Sequence, residues 1–155
     1  MARHRATIEW TLADDDDFAG GRYGRGHAVR FEGGHLLPGT ASAQVVGNKW
    51  AQAGAVDPEE MLVASLSACH MLTYLHKARE AGFVVTRYRD EAEGVMETIA
   101  DDRKAVTRVT LRPEITYQDR APSAAERDRL HHLAHQECFI ANSVKTEVTV
   151  EERNS

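Results

Sequence analysis

The 155-residue sequence predicts an α+β fold, with strands in antiparallel sheets and two helices, the first long and buried. Three observations predict it. Apolar and polar residues alternate through the first third, clear helix signals bracket Asp57 to Gly82, and a second helix start stands at Ser123. The order of three strands, a helix, two strands, a helix and a strand is not the regular alternation of a doubly wound sheet. One domain is expected over 1–155, with the N-terminal strands in 1–56 and the central helix, later strands, second helix and final strand in 57–155.

Thr7 to Leu12 reads as a strand with Ile8, Trp10 and Leu12 on one face, broken by Asp14 to Asp17. Those four aspartates lack the alternating ligand spacing of a calcium loop and read as a solvated turn. Gly20 to His27 is glycine-rich but leads into Ala28-Val29-Arg30-Phe31, a strand pattern, so it is a turn and not a phosphate cradle. Gly33-Gly34 makes the next turn, and Thr40 to Val46 alternates like a further strand.

Asp57 is a good N-cap, Pro58 suits the first helical position, and Glu59 and Glu60 complement the positive end of the helix. With Gly82 as the stop, the helix runs about 36 Å. It is apolar nearly all round from Met61 to Leu75, which predicts burial, while His76, Lys77, Arg79 and Glu80 emerge into solvent. Phe83 to Gly94 and Val106 to Tyr117 read as two longer strands joined by a polar linker, Glu97 to Lys104. Ser123 with Glu126 has capping-box spacing and starts a helix through Leu130, Leu133 and Ala134 to about Cys138. Ser143 to Glu152 closes the chain as a strand.

A net charge of -5 with scattered basic residues gives no electrostatic reason to expect nucleic acid, so a small molecule or a protein is the expected partner. Neither a secretory signal nor a run long enough to span a membrane is recognisable, and a cytoplasmic location is expected. In that compartment the two cysteines, Cys69 and Cys138, would form a transient rather than a structural disulfide. Each falls on a predicted helix. Cys69 shares a face with Leu62 and Leu66, so inert packing is the alternative to a redox couple. His131, His135 and Cys138 have spacings that invite a metal reading, but no glutamate directly follows the first histidine as in the zinc helix motif, and no metal is expected.

The stretch Pro58-Glu59-Glu60-x-Leu62 to Ala68-Cys69, with Cys138 later preceding Asn142-Ser143, resembles the OsmC/Ohr family of thiol-dependent hydroperoxide reductases (osmotically inducible protein C and organic hydroperoxide resistance protein). The resemblance extends over Trp10, Tyr23-x-Arg25-x-His27, Gly33-Gly34 and Ser143-Val144. It implies an OsmC-like intertwined homodimer, active sites at the subunit interface, and a two-cysteine peroxidase of oxidative stress defence. Cys69 would attack the peroxide and Cys138 would resolve the sulfenic acid into a disulfide, which protects it from over-oxidation.

In the family an arginine activates the attacking thiol and a glutamate at the start of the central helix holds it. Arg25 fits that arginine by its spacing to Gly34, with Arg22 as the fallback; Glu59 matches the glutamate, and Glu60 reads as a surface acid. Ten helical residues place Glu59 and Cys69 about 15 Å apart along one axis, so they meet only through the arginine or across two chains. His27, beside that arginine, and Phe139 are the expected substrate-binding residues, with Trp50, Met61 and Ile140 as further candidates for an apolar pocket. The family's implied reductant is an external dithiol, with lipoyl groups on partner proteins the form it suggests, and no bound cofactor is called for. Phe139 stands where proline usually follows the resolving cysteine, and His70 where an aromatic commonly follows the attacking one, which sets the sequence apart from both named branches. The alternative is a non-enzymatic module that binds a small molecule on the same fold, and a metal-binding protein using His131, His135 and Cys138 comes third.

Overall fold

In the computed structural model, which describes residues 1–153, the chain forms two units, one ending at Met61 and the other beginning at Leu62. The N-terminal unit is built on an antiparallel sheet of β1 (Ala6–Glu9), β2 (His27–Phe31) and β3 (Leu36–Gly39), in that order. Val29 is its buried residue and stands opposite Ile8 on one side and Leu37 on the other, an apolar row across the sheet. Gly34, at φ 85°, makes the β2–β3 turn expected at Gly33-Gly34.

Two expectations fail in this unit. The first strand stops at Glu9, and Trp10 instead donates its indole N–H to the Gly24 carbonyl (2.9 Å) and packs with Phe18 and Tyr23. Residues Thr40 to Val46 are not a strand, because Ser42 caps a single helical turn, α1 (Ala43–Val46), which Gly47 ends at φ 81°. A cap and a glycine stop set five residues apart outweigh a weak alternation of small side chains.

Helix α2 (Pro58–Glu80) begins and ends as the sequence indicates. Asp57 and Glu60 form a reciprocal cap, each backbone N–H meeting the other's carboxylate at 3.0 and 2.8 Å. At the far end Gly82 adopts φ 81° while its N–H reaches Arg79 and that of Phe83 reaches Ala78, the pair of bonds of a Schellman motif. Burial is one-sided, however: Leu66, His70, Tyr74 and Ala78 form the covered stripe, and Leu72 is 63% exposed.

The remaining strands are β4 (Val84–Asp90), β5 (Glu93–Thr98), β6 (Lys104–Leu111), β7 (Pro113–Gln118) and β8 (Glu147–Val150), with helix α3 (Ala124–Glu137) before the last. Each of the two longer predicted strands is therefore two strands. Arg112 pins the corner, its N–H on Asp90 (2.6 Å) and its guanidinium on Glu93 and Glu151, and Pro113 has no N–H to continue the ladder. The expected linker from Glu97 shortens to a turn around Ala100–Asp102, because Glu97 and Thr98 still pair within β5. β4 pairs with β7, and β5, β6 and β8 form a second sheet in which β8 runs parallel to β6. That pair departs from the antiparallel rule because α3 lies in the connection into β8, and a connection of that length permits a parallel return.

Ser123 and Glu126 make the predicted capping box at the start of α3. Two apolar clusters pack along α2: Leu66 with Val109 and Leu111, and Tyr74 and Ala78 with Phe83, Ile115, Leu130 and Ala134. His70 lies on the stripe between them.

Candidate active site

Cys69 is on α2, half-buried, and Cys138 is the C-cap of α3 and 1% exposed. The fold brings them together, close enough for the Cys69 side chain to act on the Cys138 thiol. Burial, and then the neighbouring Cys69 side chain, push the Cys138 thiol up, against the opposing pull of the Ala141 and Ile140 N–H groups. The Ala141 N–H donates to the Cys138 sulfur at 3.4 Å. Two cysteines brought together from separate helices are the arrangement that reversible disulfide chemistry requires.

Beside the pair a groove of about 440 Å³ is lined by Leu72, Thr73, His76, Glu137, Phe139 and Asn142. Thr73 lies one helical turn beyond Cys69, its hydroxyl donating to the Cys69 carbonyl at 2.9 Å. Phe139 follows Cys138 directly and is 81% exposed. Ile140 instead packs into the cluster around Leu66.

The N-terminal unit carries the other sequence candidates. Arg25 is half-buried, stacks on the Tyr23 ring with its guanidinium carbon 3.4 Å from the centroid, and donates to the Tyr23 carbonyl. Arg22 pairs with Asp17 on the surface. His27 Nδ1 donates to the Arg25 carbonyl at 2.9 Å, which fixes the tautomer with Nε2 bare. Glu59 makes no ion pair among the described residues, so Arg25 and Glu59 are not joined in this chain. Glu60 is the capping residue of α2 rather than a free surface acid.

His131, His135 and Cys138 do not form a metal cluster; among the described residues no group of three or more histidine, cysteine or acidic side chains converges to hold an ion. What His131 does instead is not announced by its own sequence neighbourhood. It meets His70 at 3.0 Å and Glu152 at 3.0 Å in the interior. The available signal was the position of His70, four residues from Leu66 and four from Tyr74 on an otherwise apolar stripe.

A family model described as OsmC-like protein matches residues 51–153. An OsmC-like protein of unknown function from Vibrio cholerae O1 is similar at 38% identity, over 99% of this chain and 100% of its own, with a TM-score of 0.94. An organic hydroperoxide resistance protein OsmC from Legionella pneumophila shares the fold at 20% identity, over 100% and 98% of the two chains, with a TM-score of 0.71. Another organic hydroperoxide resistance protein, from Elizabethkingia anophelis, does so at 19% identity, over 100% and 96%, with a TM-score of 0.72. No curated protein matches the sequence.

Proposed function

The chain belongs to the OsmC-like protein family, and we propose that it is a peroxidase that reduces organic hydroperoxides to alcohols through Cys69 and Cys138. The observation that carries this reading is the meeting of its only two cysteines, on separate helices, one half-buried and the other buried. The Cys69 thiolate attacks the terminal peroxide oxygen, the O–O bond breaks, and the alkoxide leaves and takes up a proton. Cys138 then displaces hydroxide from the sulfenic sulfur, giving a disulfide and water. An external dithiol, of which a lipoyl group is one form, returns the two electrons.

Arg25 and Glu59 keep within this proposal the roles of activating and holding groups, and His27 and Phe139 those of substrate contacts. Phe139 and Leu72, both exposed beside the cysteines, supply apolar surface for the organic part of the substrate and for self-association into a homodimer. The same fold serving as a non-enzymatic binding module predicts inert thiols.

Intact mass of the reduced protein before and after one equivalent of cumene hydroperoxide, with free thiols then alkylated, decides between them. Loss of about 2 Da and of both alkylation sites is expected. Cys69→Ser should lower peroxide turnover by at least about 100-fold. Two thiols alkylated at their original rate, or full turnover in Cys69→Ser, would overturn the proposal.

A further inference from the structure

The cysteine couple depends on how two helices meet, and among the described residues two polar side-chain ties join α2 to α3. One is the buried His70–His131 bond at 3.0 Å, which leaves from the residue after Cys69. The other is an ion pair, Lys77 Nζ to Glu137 Oε1 at 2.8 Å, which ends on the residue before Cys138. Lys77 also reaches Glu80 at 3.3 Å, and Glu80 in turn meets His76 Nε2 at 3.1 Å, so the ammonium is braced from its own helix as well. The Lys77 side chain is 16% exposed against 52% for Glu137. The bond from Glu137 is the leading cause that holds the Lys77 amine above the usual lysine range and keeps it charged.

Glu137 needs that partner. It is the last residue of α3 and so sits at the negative end of the helix, where a carboxylate weakens the final turn and a cation strengthens it. In that turn α3 itself offers only His135 as a basic residue. Cys138, the next residue, has left the helix (φ -71°, ψ 109°), and its N–H bonds the His135 carbonyl at 3.3 Å. Downstream, the Ala141 N–H rests on its sulfur at 3.4 Å, and the Asn142 side-chain amide returns to the Gln136 carbonyl at 3.0 Å. A last turn that frays therefore carries Cys138 with it. A disulfide tolerates little of that, since its Cα atoms must stand about 4.4–6.8 Å apart.

We infer that Lys77 and Glu137 are positioning residues for the cysteine couple: their ion pair pins the end of α3 to α2 and keeps Cys138 where its sulfur can join that of Cys69. The inference rests on the thiol-redox reading of the site. Lys77 acts through Glu137 and the helix end, and the measure of its action is the effective concentration of one thiol at the other. A partly exposed ion pair contributes little to the stability of a fold, so this one matters through where it ends. Because the tie and the disulfide favour the same arrangement, each stabilises the other, and closing the disulfide tightens the ion pair.

The test reads the dithiol–disulfide equilibrium of the full-length chain in glutathione buffers at neutral pH, with free thiols trapped and counted by mass, for the wild type, Lys77→Met, Glu137→Gln and the double variant. Closure joins the two sulfurs and passes two electrons and two protons to glutathione disulfide, which becomes two molecules of glutathione, so no peroxide is involved. Lys77→Met should lower the equilibrium constant for closure about fourfold, the size that a partly exposed ion pair supports. Sulfenic acid formation in that variant, timed with cumene hydroperoxide and dimedone, should stay within about twofold of wild type. Replacing Glu137 as well should cost nothing further and should restore part of the loss, because an unpaired carboxylate no longer burdens the helix end. A cation that acted by stabilising a thiolate would instead stabilise the reduced form, and its removal would shift the balance toward the disulfide. That shift, a wild-type constant in Lys77→Met, or losses that multiply in the double variant would overturn the inference. A wild type that closes in the buffer yet is inert to hydroperoxide defeats the peroxidase reading alone, and the variants still decide the role of the pair; a wild type that never closes defeats both.

Discussion

Among the described residues Val29 is the buried hydrophobic side chain of the N-terminal unit, whereas Leu66, Tyr74, Ala78, Phe83, Val109, Leu111, Ile115, Leu130 and Ala134 are all buried in the C-terminal one. The N-terminal unit leaves Ile8, Phe18, Leu36 and Val45 more than half exposed. A three-stranded sheet with so little covered surface has a small hydrophobic contribution of its own, while the C-terminal unit has a core to itself. Cys138, His70 and His131 are buried in that unit, and the exposed sheet is the kind of surface a second copy of the chain would cover.

Substitutions on the two sides of this comparison should behave differently, and the largest effect belongs to the core. Leu66, 1% exposed, packs against Val109 and Leu111. Leu66→Ala should cost about 3 kcal/mol in urea unfolding through lost transfer energy and the cavity left behind. A cost below about 1 kcal/mol would mean that the cluster re-packs and that the unit is less tightly built than its burial indicates.

The polar waist between the two clusters gives the next effect, and it depends on pH. His70 titrates near 6.5 when unfolded and at about 4 when folded, chiefly because of burial. Between those values the unfolded chain binds a proton that the folded chain refuses. The stability that neutral His70 confers is therefore complete above about 6.5 and is lost as pH falls toward 4, in total about 3 kcal/mol. Urea unfolding of the wild type against His70→Phe across that range isolates this contribution from the other histidines. Parallel curves for the two proteins would show that His70 is not the group that sets the acid limit.

Local signals made both helices legible in the sequence. Asp57 with Glu60, Gly82, and Ser123 with Glu126 specify their ends through hydrogen bonds within a few residues, and all three arrangements form. Cys69 and Cys138 were legible as candidates, but their meeting depends on how α3 packs against α2, which no local pattern encodes. The split at Arg112 was hidden because its partners, Asp90, Glu93 and Glu151, are distant in sequence. The false strand at Thr40 to Val46 came from reading alternation where Ser42 and Gly47 had the stronger claim. The partners of His131 were hidden for the same reason, being a residue of α2 and one that follows β8.

The smallest effect on stability is expected in the N-terminal sheet, and it is the most informative about assembly. Ile8 and Leu36 are 60% and 56% exposed, so replacing either by serine removes little buried surface from a single chain. Unfolding at high dilution should move by no more than about 0.5 kcal/mol. If a second copy covers this sheet, the same substitutions should weaken self-association in sedimentation equilibrium by about tenfold, the equivalent of roughly 1.4 kcal/mol at the interface. Unchanged association would assign the dimer contact to another surface, with Leu72 and Phe139 beside the cysteines the next to replace. A chain that is monomeric at every concentration would instead leave the exposed sheet as a property of the protomer and remove the homodimer from the proposed function.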